Sequence, residues 1–489
     1  MFATGFETSY RVITGKRGQR PEERYAPPLP KHLPKAQTEN VMAMHAERGA
    51  PGEARPFMFA TGFENSYPVI TGKNGETIRR DELESTGFYE HWHEDFELLR
   101  EVGVEYVRYG PQYYRVNSGA ERYDWEFTDI TFARLREMGV TPIADLCHFG
   151  LPEWIGDFQN PDWPELFAAY ARAFAQRYPW VQLMTPVNEI FVNATFSAQN
   201  GWWNERLKSD RAFVTALKHM CKATLRAEEE ILKVQPEAIF VQSEASACYH
   251  EWSRKAAARA RGENEKRFLS FDLCYGHRVG SDMYEYLMDN GLSRAEYHWF
   301  LEHGPEMRPH CIMGSDYYGA NEHWVPAEGP IQSAGPIFGY AVLARQYYER
   351  YHLPIMLTET NMRDADKSPD WLHHQWACVR ELRRVAIPVM GFTWYSLLDQ
   401  VDWDVALREV NNTENPVGLY DLKRRPHPVR DAYRDLVAEW RDEMPMEVQY
   451  GSIHAGNKHG TENRAGSHSR EADSRHGGDR AHGRETPVL

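Results

Sequence analysis

The stretch MFATGFENSY at residues 58–67 is followed at ordinary loop distance by a helix-period segment, FYEHWHEDFELLREVG (88–103), and then by a second β-type run, VEYVRY (104–109). That order reads as strand, helix, parallel strand. A near-copy, MFATGFETSY, stands at residues 1–10, separated from the first stretch by a segment rich in Pro, Arg, Glu and Ala. The near-copy has no helix of its own behind it, so only the copy at Met58 can open a repeating strand-helix architecture. A closed sheet offers no free edge for an extra strand, and the expectation for residues 1–57 is disorder. Edge pairing, pairing in a neighbouring molecule, a trace of duplication and a misplaced start stay open as alternatives.

The alternation continues along the chain. Strand-type runs recur at 140–149, 180–189, 238–244, 311–318, 353–359 and 388–396, which with 57–63 and 104–109 make eight. Amphipathic helical segments at 127–139, 163–178, 210–234 and 369–385 lie between them. Strict alternation over this length predicts an α/β fold, a single (β/α)8 TIM barrel over residues 58–443. A doubly wound sheet would need a glycine-rich phosphate loop after an early strand, and no convincing one is present. From about Met444 the composition turns to Gly, His, Ser, Arg and Glu, which predicts a disordered low-complexity tail over 444–489.

Composition narrows the function. A formal charge of −15 disfavours nucleic acid and anionic membrane surfaces. No apolar run is long enough to span a bilayer, and the N-terminus lacks the pattern of a secretion signal, so the expected compartment is the cytoplasm. The six cysteines are scattered without a close pair and read as reduced thiols. Fifteen Trp, 26 Tyr and 22 Phe supply both a large core and aromatic faces suited to sugars.

In barrels of this kind the reactive groups sit at the carboxyl ends of the strands. TPVNEI ends the fourth run with Asn188 and Glu189, and PIMLTETN ends the seventh with Glu359. Two carboxyl groups facing each other across the barrel mouth suit glycosidic bond cleavage through a covalent intermediate, one as nucleophile and the other as acid and then base. No dense His/Asp/Glu ligand set stands at the strand ends, so no metal and no cofactor are expected.

At these residues the chain from Met58 to about Glu443 resembles glycoside hydrolase family 1, the β-glucosidase-type retaining enzymes. TPVNEI is similar to that family's T-F-N-E-P, LPIMLTETN to P-I-x-I-T-E-N-G, and WYSLLDQVDW to W-S-L-L-D-N-F-E-W. VEYVRYGPQYYRV and DLCHFGLPEWI are similar to its R-F-S-x-x-W-x-R and L-x-H-W-D-L-P patterns, and GSDYY to G-x-N-Y-Y. The resemblance implies Glu359 as nucleophile and Glu189 as acid/base, with Asn188 on the sugar 2-hydroxyl. It implies that Arg108 and Tyr318 hold Glu359, that His148 meets a glycone hydroxyl, and that Asp402 and Trp403 meet the outer hydroxyls. Trp394 or Tyr395 would form the stacking floor, and strand parity allows only one of them to face the lumen. Trp202 and Trp203 read either as an aglycone wall or as a hydrophobic lid.

The departures from the pattern concern the glycone pocket. Pro68 stands where the family has a Gln that grips two hydroxyls, which leaves that task to Glu64 or Asn65. Ile190 follows Glu189 in place of Pro, Thr360 and Asn361 follow Glu359, and Asp402 is one methylene shorter than the usual Glu. The implied activity is a retaining β-glycoside hydrolase acting on a small or soluble β-glycoside, with transglycosylation open. A carbohydrate-binding barrel without turnover is the alternative, and a homo-oligomer is compatible with the sequence.

Overall fold

A computed structural model describes residues 57–444. The expectations for the N-terminal near-copy and the C-terminal tail lie outside the described residues. Eight parallel strands close into a barrel: β1 Met58–Gly62, β2 Tyr106–Arg108, β3 Thr141–Asp145, β4 Leu183–Thr185, β5 Ile239–Gln242, β6 Cys311–Asp316, β7 Ile355–Glu359 and β8 Val389–Trp394. Each coincides with one of the strand-type runs. Closure is made by β1, which pairs with β8 (Met58 opposite Gly391) and with β2 (Ala60 opposite Tyr106). The stretch beginning at Met58 is therefore the first barrel strand.

Side chains alternate across the sheet. Met58, Ala60, Ile143, Leu183, Ile312 and Met356 fill the barrel axis. Phe59, Val107, Met184, Phe240, Leu357 and Phe392 point outward into the layer shared with the helices. This period of two over buried strands is the packing a filled parallel barrel requires. The outer ring comprises α1 Phe88–Val102, α2 Glu126–Met138, α3 Trp163–Arg177, α4 Asp210–Leu232, α5 Arg294–Met307, α6 Tyr340–Tyr351, α7 Ser368–Arg384 and α8 Pro428–Trp440.

Local chemistry sets the helix ends. Ser209 caps α4 by accepting from the Ala212 amide, and Ser293 with Glu296 forms a reciprocal capping box at α5. Gly103 ends α1 with φ 80°, a left-handed position that costs glycine nothing. α8 locks the barrel seam, its Tyr433 hydroxyl donating to Ala60 O at 2.7 Å.

The long β5–β6 connection carries several further helices and a strand at Cys248–Glu251. This strand pairs with Glu322–Val325, which follows β6. The alternation rule does not anticipate that small sheet. Above the barrel mouth, Ile70, Phe149, Trp203 and Leu407, from the loops after β1, β3, β4 and β8, form a separate apolar cluster. No disulfide joins any of the six cysteines, all of which lie among the described residues. Among the described residues no helix is long and apolar enough to cross a membrane.

Candidate active site

Glu189 and Glu359 lie at the ends of β4 and β7. One oxygen from each, together with one from Asp316 at the end of β6, lies within 4.8 Å of the others. Glu189 sits at φ 41°, a left-handed bend where strand gives way to helix. Bonds to neighbouring strand ends hold that bend: Asn188 N donates to Cys147 O at 3.0 Å, and Glu189 N to Ser243 O at 2.9 Å. A non-glycine residue kept in this region needs such support, and functional sites are where such support is common.

Arg108 organises the floor. It is 1% exposed and bonds Glu359 Oε1 through Nη1; through Nη2 it donates to Asn188 Oδ1 at 2.7 Å and meets Asp145 Oδ2 at 3.4 Å. Burial works against its charge, but Glu359, Asp145 and Asp316 outweigh burial and raise its pKa. Tyr318 OH donates to the other Glu359 oxygen at 2.6 Å. A guanidinium and a phenol therefore converge on one carboxylate, each donating to a different oxygen.

Glu189 differs. Burial first, then the nearby Glu359 and Asp316 charges, push its pKa well above the usual carboxylate range, with Arg108 only partly opposing. The two acids thus occupy unequal environments, the arrangement that separates an acid from a nucleophile.

His148 lies beside them. Its Nδ1 is 2.7 Å from Asp145 Oδ2, its Nε2 is 3.2 Å from Asn188 Nδ2 and 3.7 Å from Glu64 Oε1. Burial tends to discharge the ring, but Asp145, Glu64 and Glu359 prevail and raise its pKa. Glu64 is held by Ser66, and by Gln400 Nε2 at 3.1 Å. Of the two candidates offered in place of the missing Gln, Glu64 is therefore the one that contacts His148. Asn65 is fully buried with its Nδ2 unpartnered, and no contact ties it to the acids.

Trp394 is buried in the outward layer and donates Nε1 to Val417 O at 3.0 Å, so it does not face the lumen. Tyr395, one residue on, turns inward. Its ring lies 5.3 Å from the Arg108 guanidinium, and its hydroxyl donates to Phe63 O at 3.0 Å. A methyl group at Gly62 would lie 2.5 Å from that ring, so the tyrosine needs glycine there.

Asp402, expected at the outer hydroxyls, is engaged by its own loop. Its Oδ1 accepts from the amides of Asn411 and Thr413, and its Oδ2 pairs with Arg80 at 3.0 Å. The shorter side chain is spent on its own loop. Trp403 packs edge-on against Phe149 and Trp203. Trp203 is fully buried and donates to Ala406 O, which makes it part of a lid rather than a wall open to ligand.

Sequence reading passed over Asp145, Gln400 and Asp316. Asp145 stands three residues before His148 at the end of β3, a visible signal. Gln400 had none. Asp316 occupies the Asn position of the G-x-N-Y-Y pattern, a departure that carries a charge.

Among the described residues the fold gathers two three-residue groups with metal-ligating atoms, which the linear pattern did not reveal: Glu189, Asp316 and Glu359, and Cys248, His250 and Glu322. In the second, Glu322 accepts from His250 Nε2 at 2.7 Å, Tyr317 OH at 3.0 Å and the amides of Phe338 and Gly339. That carboxylate anchors the approach to α6. A cavity of about 540 Å³ opens beside it, lined by His250, Arg267, Trp324 and Phe338 among others. That cavity is distinct from the paired acids, neither of which lines it.

The model of glycosyl hydrolase family 1 matches residues 67–292. A bifunctional β-D-glucosidase/β-D-fucosidase of Bifidobacterium breve is 23% identical over 409 residues, 72% of this chain and 86% of that protein. The 6-phospho-β-glucosidase AscB of Escherichia coli K12 is 26% identical over 176 residues, 33% of this chain and 37% of that protein. Thermotoga maritima β-glucosidase in complex with deoxynojirimycin superposes with a TM-score of 0.66 at 17% identity, covering 79% of this chain and 98% of that one; this likeness concerns the fold. With the family match over residues 67–292, the relative aligned over most of its length and the shared closed barrel, the chain is similar to glycosyl hydrolase family 1.

Proposed function

We propose that the protein is a retaining β-glycosidase that works by double displacement on small β-glycosides. The supporting observation is the 4.8 Å bound on the Glu189 and Glu359 oxygens. Retaining enzymes hold their carboxyl groups about 5–5.5 Å apart, whereas inverting enzymes leave room for water at about 6.5–9.5 Å. Glu359, fixed by Arg108 and Tyr318, attacks the anomeric carbon as the bond to the leaving oxygen breaks. Glu189, which burial and its acidic neighbours keep protonated, donates its proton to that oxygen. Esterification of Glu359 then removes a negative charge beside Glu189. Its proton affinity drops, and it takes a proton from the water that attacks the same carbon and releases Glu359.

Asn188, fixed by Arg108 and His148, lies beside the substituent on the carbon next to the reacting one, and Tyr395 offers the aromatic floor. The Bifidobacterium relative is named for β-glucosides and β-fucosides, and these are the first glycones to test. Replacing Glu359 by Gly and adding azide tests the assignment. The expected result is restored turnover of an activated aryl β-glycoside, with an α-glycosyl azide as product. Wild-type rates in the unrescued variant would contradict the reading.

A further inference from the structure

Asp316 is fully buried at the end of β6, directly opposite Glu359 in the β6–β7 register. Its Oδ2 accepts from Ser243 Oγ at 2.7 Å, while its Oδ1 is buried and makes no hydrogen bond of normal geometry; the Thr358 hydroxyl, itself without a partner of normal geometry, is the other donor close to the carboxylate. An oxygen of Asp316 shares the 4.8 Å cluster with Glu189 and Glu359. Arg108 does not neutralise it by contact, because its terminal nitrogens bond Glu359, Asn188 and Asp145. Buried carboxyl oxygens are costly to leave unpaired, so a ligand group that completes Asp316 gains that penalty back as affinity.

The surrounding charge says what kind of group. Glu64, Asp145, Glu189, Asp316 and Glu359 gather around the Arg108 guanidinium and the His148 imidazole. At Asp316 and around Pro68, where the family patterns carry neutral amides, this chain presents carboxyl groups. The pocket is acid-rich where the sugar sits, and a cationic donor on the sugar would balance it.

Resting on the glycosidase reading, we infer that Asp316 is a specificity residue that selects a glycone bearing an ammonium group on the carbon next to the anomeric centre, an amino sugar. The position follows from adjacency: a group beside the carboxylate that attacks the anomeric carbon reaches that carbon's neighbour. The chemistry also calls for a carboxylate there. An ammonium at this carbon opposes the positive charge that develops on the ring in the transition state. A carboxylate bonded to it offsets that repulsion, and a neutral amide cannot.

The test separates recognition from turnover. Calorimetric titration compares phenyl 1-thio-β-glucoside with its 2-amino-2-deoxy analogue, both resistant to hydrolysis, on the full wild-type chain and on Asp316→Asn. The wild type should bind the amino compound at least about tenfold more tightly, in line with a hydrogen bond to a charged group, and Asp316→Asn should abolish the preference. In parallel, the kcat/KM ratio for the 4-nitrophenyl 2-amino-2-deoxy-β-glucoside over the plain glucoside should fall at least about tenfold in the variant. Equal wild-type affinities for the two thioglycosides, or an unchanged preference in Asp316→Asn, would overturn the inference. Intact selective binding with no hydrolysis of either aryl glycoside would overturn the glycosidase reading and leave the recognition standing.

Discussion

Tyr318 donates its hydroxyl to Glu359 Oε2 at 2.6 Å while Arg108 holds Oε1, so both oxygens of one carboxylate are aligned by fixed donors. A hydrogen bond to a charged group contributes about 1.5–3 kcal/mol. Tyr318→Phe should therefore lower kcat/KM for an aryl β-glycoside by roughly 10- to 150-fold with little change in melting temperature. Steady-state kinetics beside a thermal scan checks both parts.

Asp402 and Arg80 pair at 3.0 Å with the aspartate fully buried. If the aspartate serves its loop, Asp402→Ala removes the acceptor of the Asn411 amide and leaves Arg80 with Glu82 and the Thr413 amide with Asn411 Oδ1, and it lowers stability by about 3 kcal/mol, the lower end of the cost of halving a buried pair. Denaturant unfolding measures it. A large rise in KM with unaltered stability would instead return Asp402 to the sugar.

Trp394 and Tyr395 should separate by phenotype. Trp394→Ala removes a fully buried indole and should cost about 3–5 kcal/mol of stability. Tyr395→Ala opens the floor beside Arg108 and should act chiefly on kcat/KM. Parallel unfolding and kinetic measurements on the two variants decide the assignment.

Glu228 on α4 is fully buried and accepts from Gln242 at 2.8 Å; burial, aided by Glu229, raises its pKa from 4.5 to about 8. Between those two values the folded state keeps a proton that the unfolded state has released. Stability from this group is complete below the unfolded pKa and is lost as pH rises through the folded one. Glu228→Gln should therefore melt progressively higher than wild type as pH is raised from about 5 to about 8, by several degrees at the upper end. Parallel lines in the two melting profiles would contradict the shift.

The barrel was legible because parallel strands buried on both faces read as apolar runs, and because each run is followed by a helix or a loop excursion. Glu189 and Glu359 were legible because strand ends point at the mouth. What escaped was set by three-dimensional neighbours. Parity alone said that one of Trp394 and Tyr395 faces inward, but the choice depended on where β8 ends relative to Gly62. The motif placed Asp402 near the sugar, and only the fold brings Arg80 against it. Asp316 stood in a recognised pattern, yet its weight appears only when β6 lies beside β7 and three carboxyl groups converge. Gln400 reaches Glu64 across 336 positions of sequence, a contact no local pattern encodes.

Double displacement at Glu359 has a stereochemical consequence that can be watched directly. Proton NMR of an aryl β-glycoside digest, recorded before mutarotation, reports which anomer the enzyme releases first. Two successive inversions predict the β-anomer as initial product. First release of the α-anomer would mean a single displacement by water and would contradict the account.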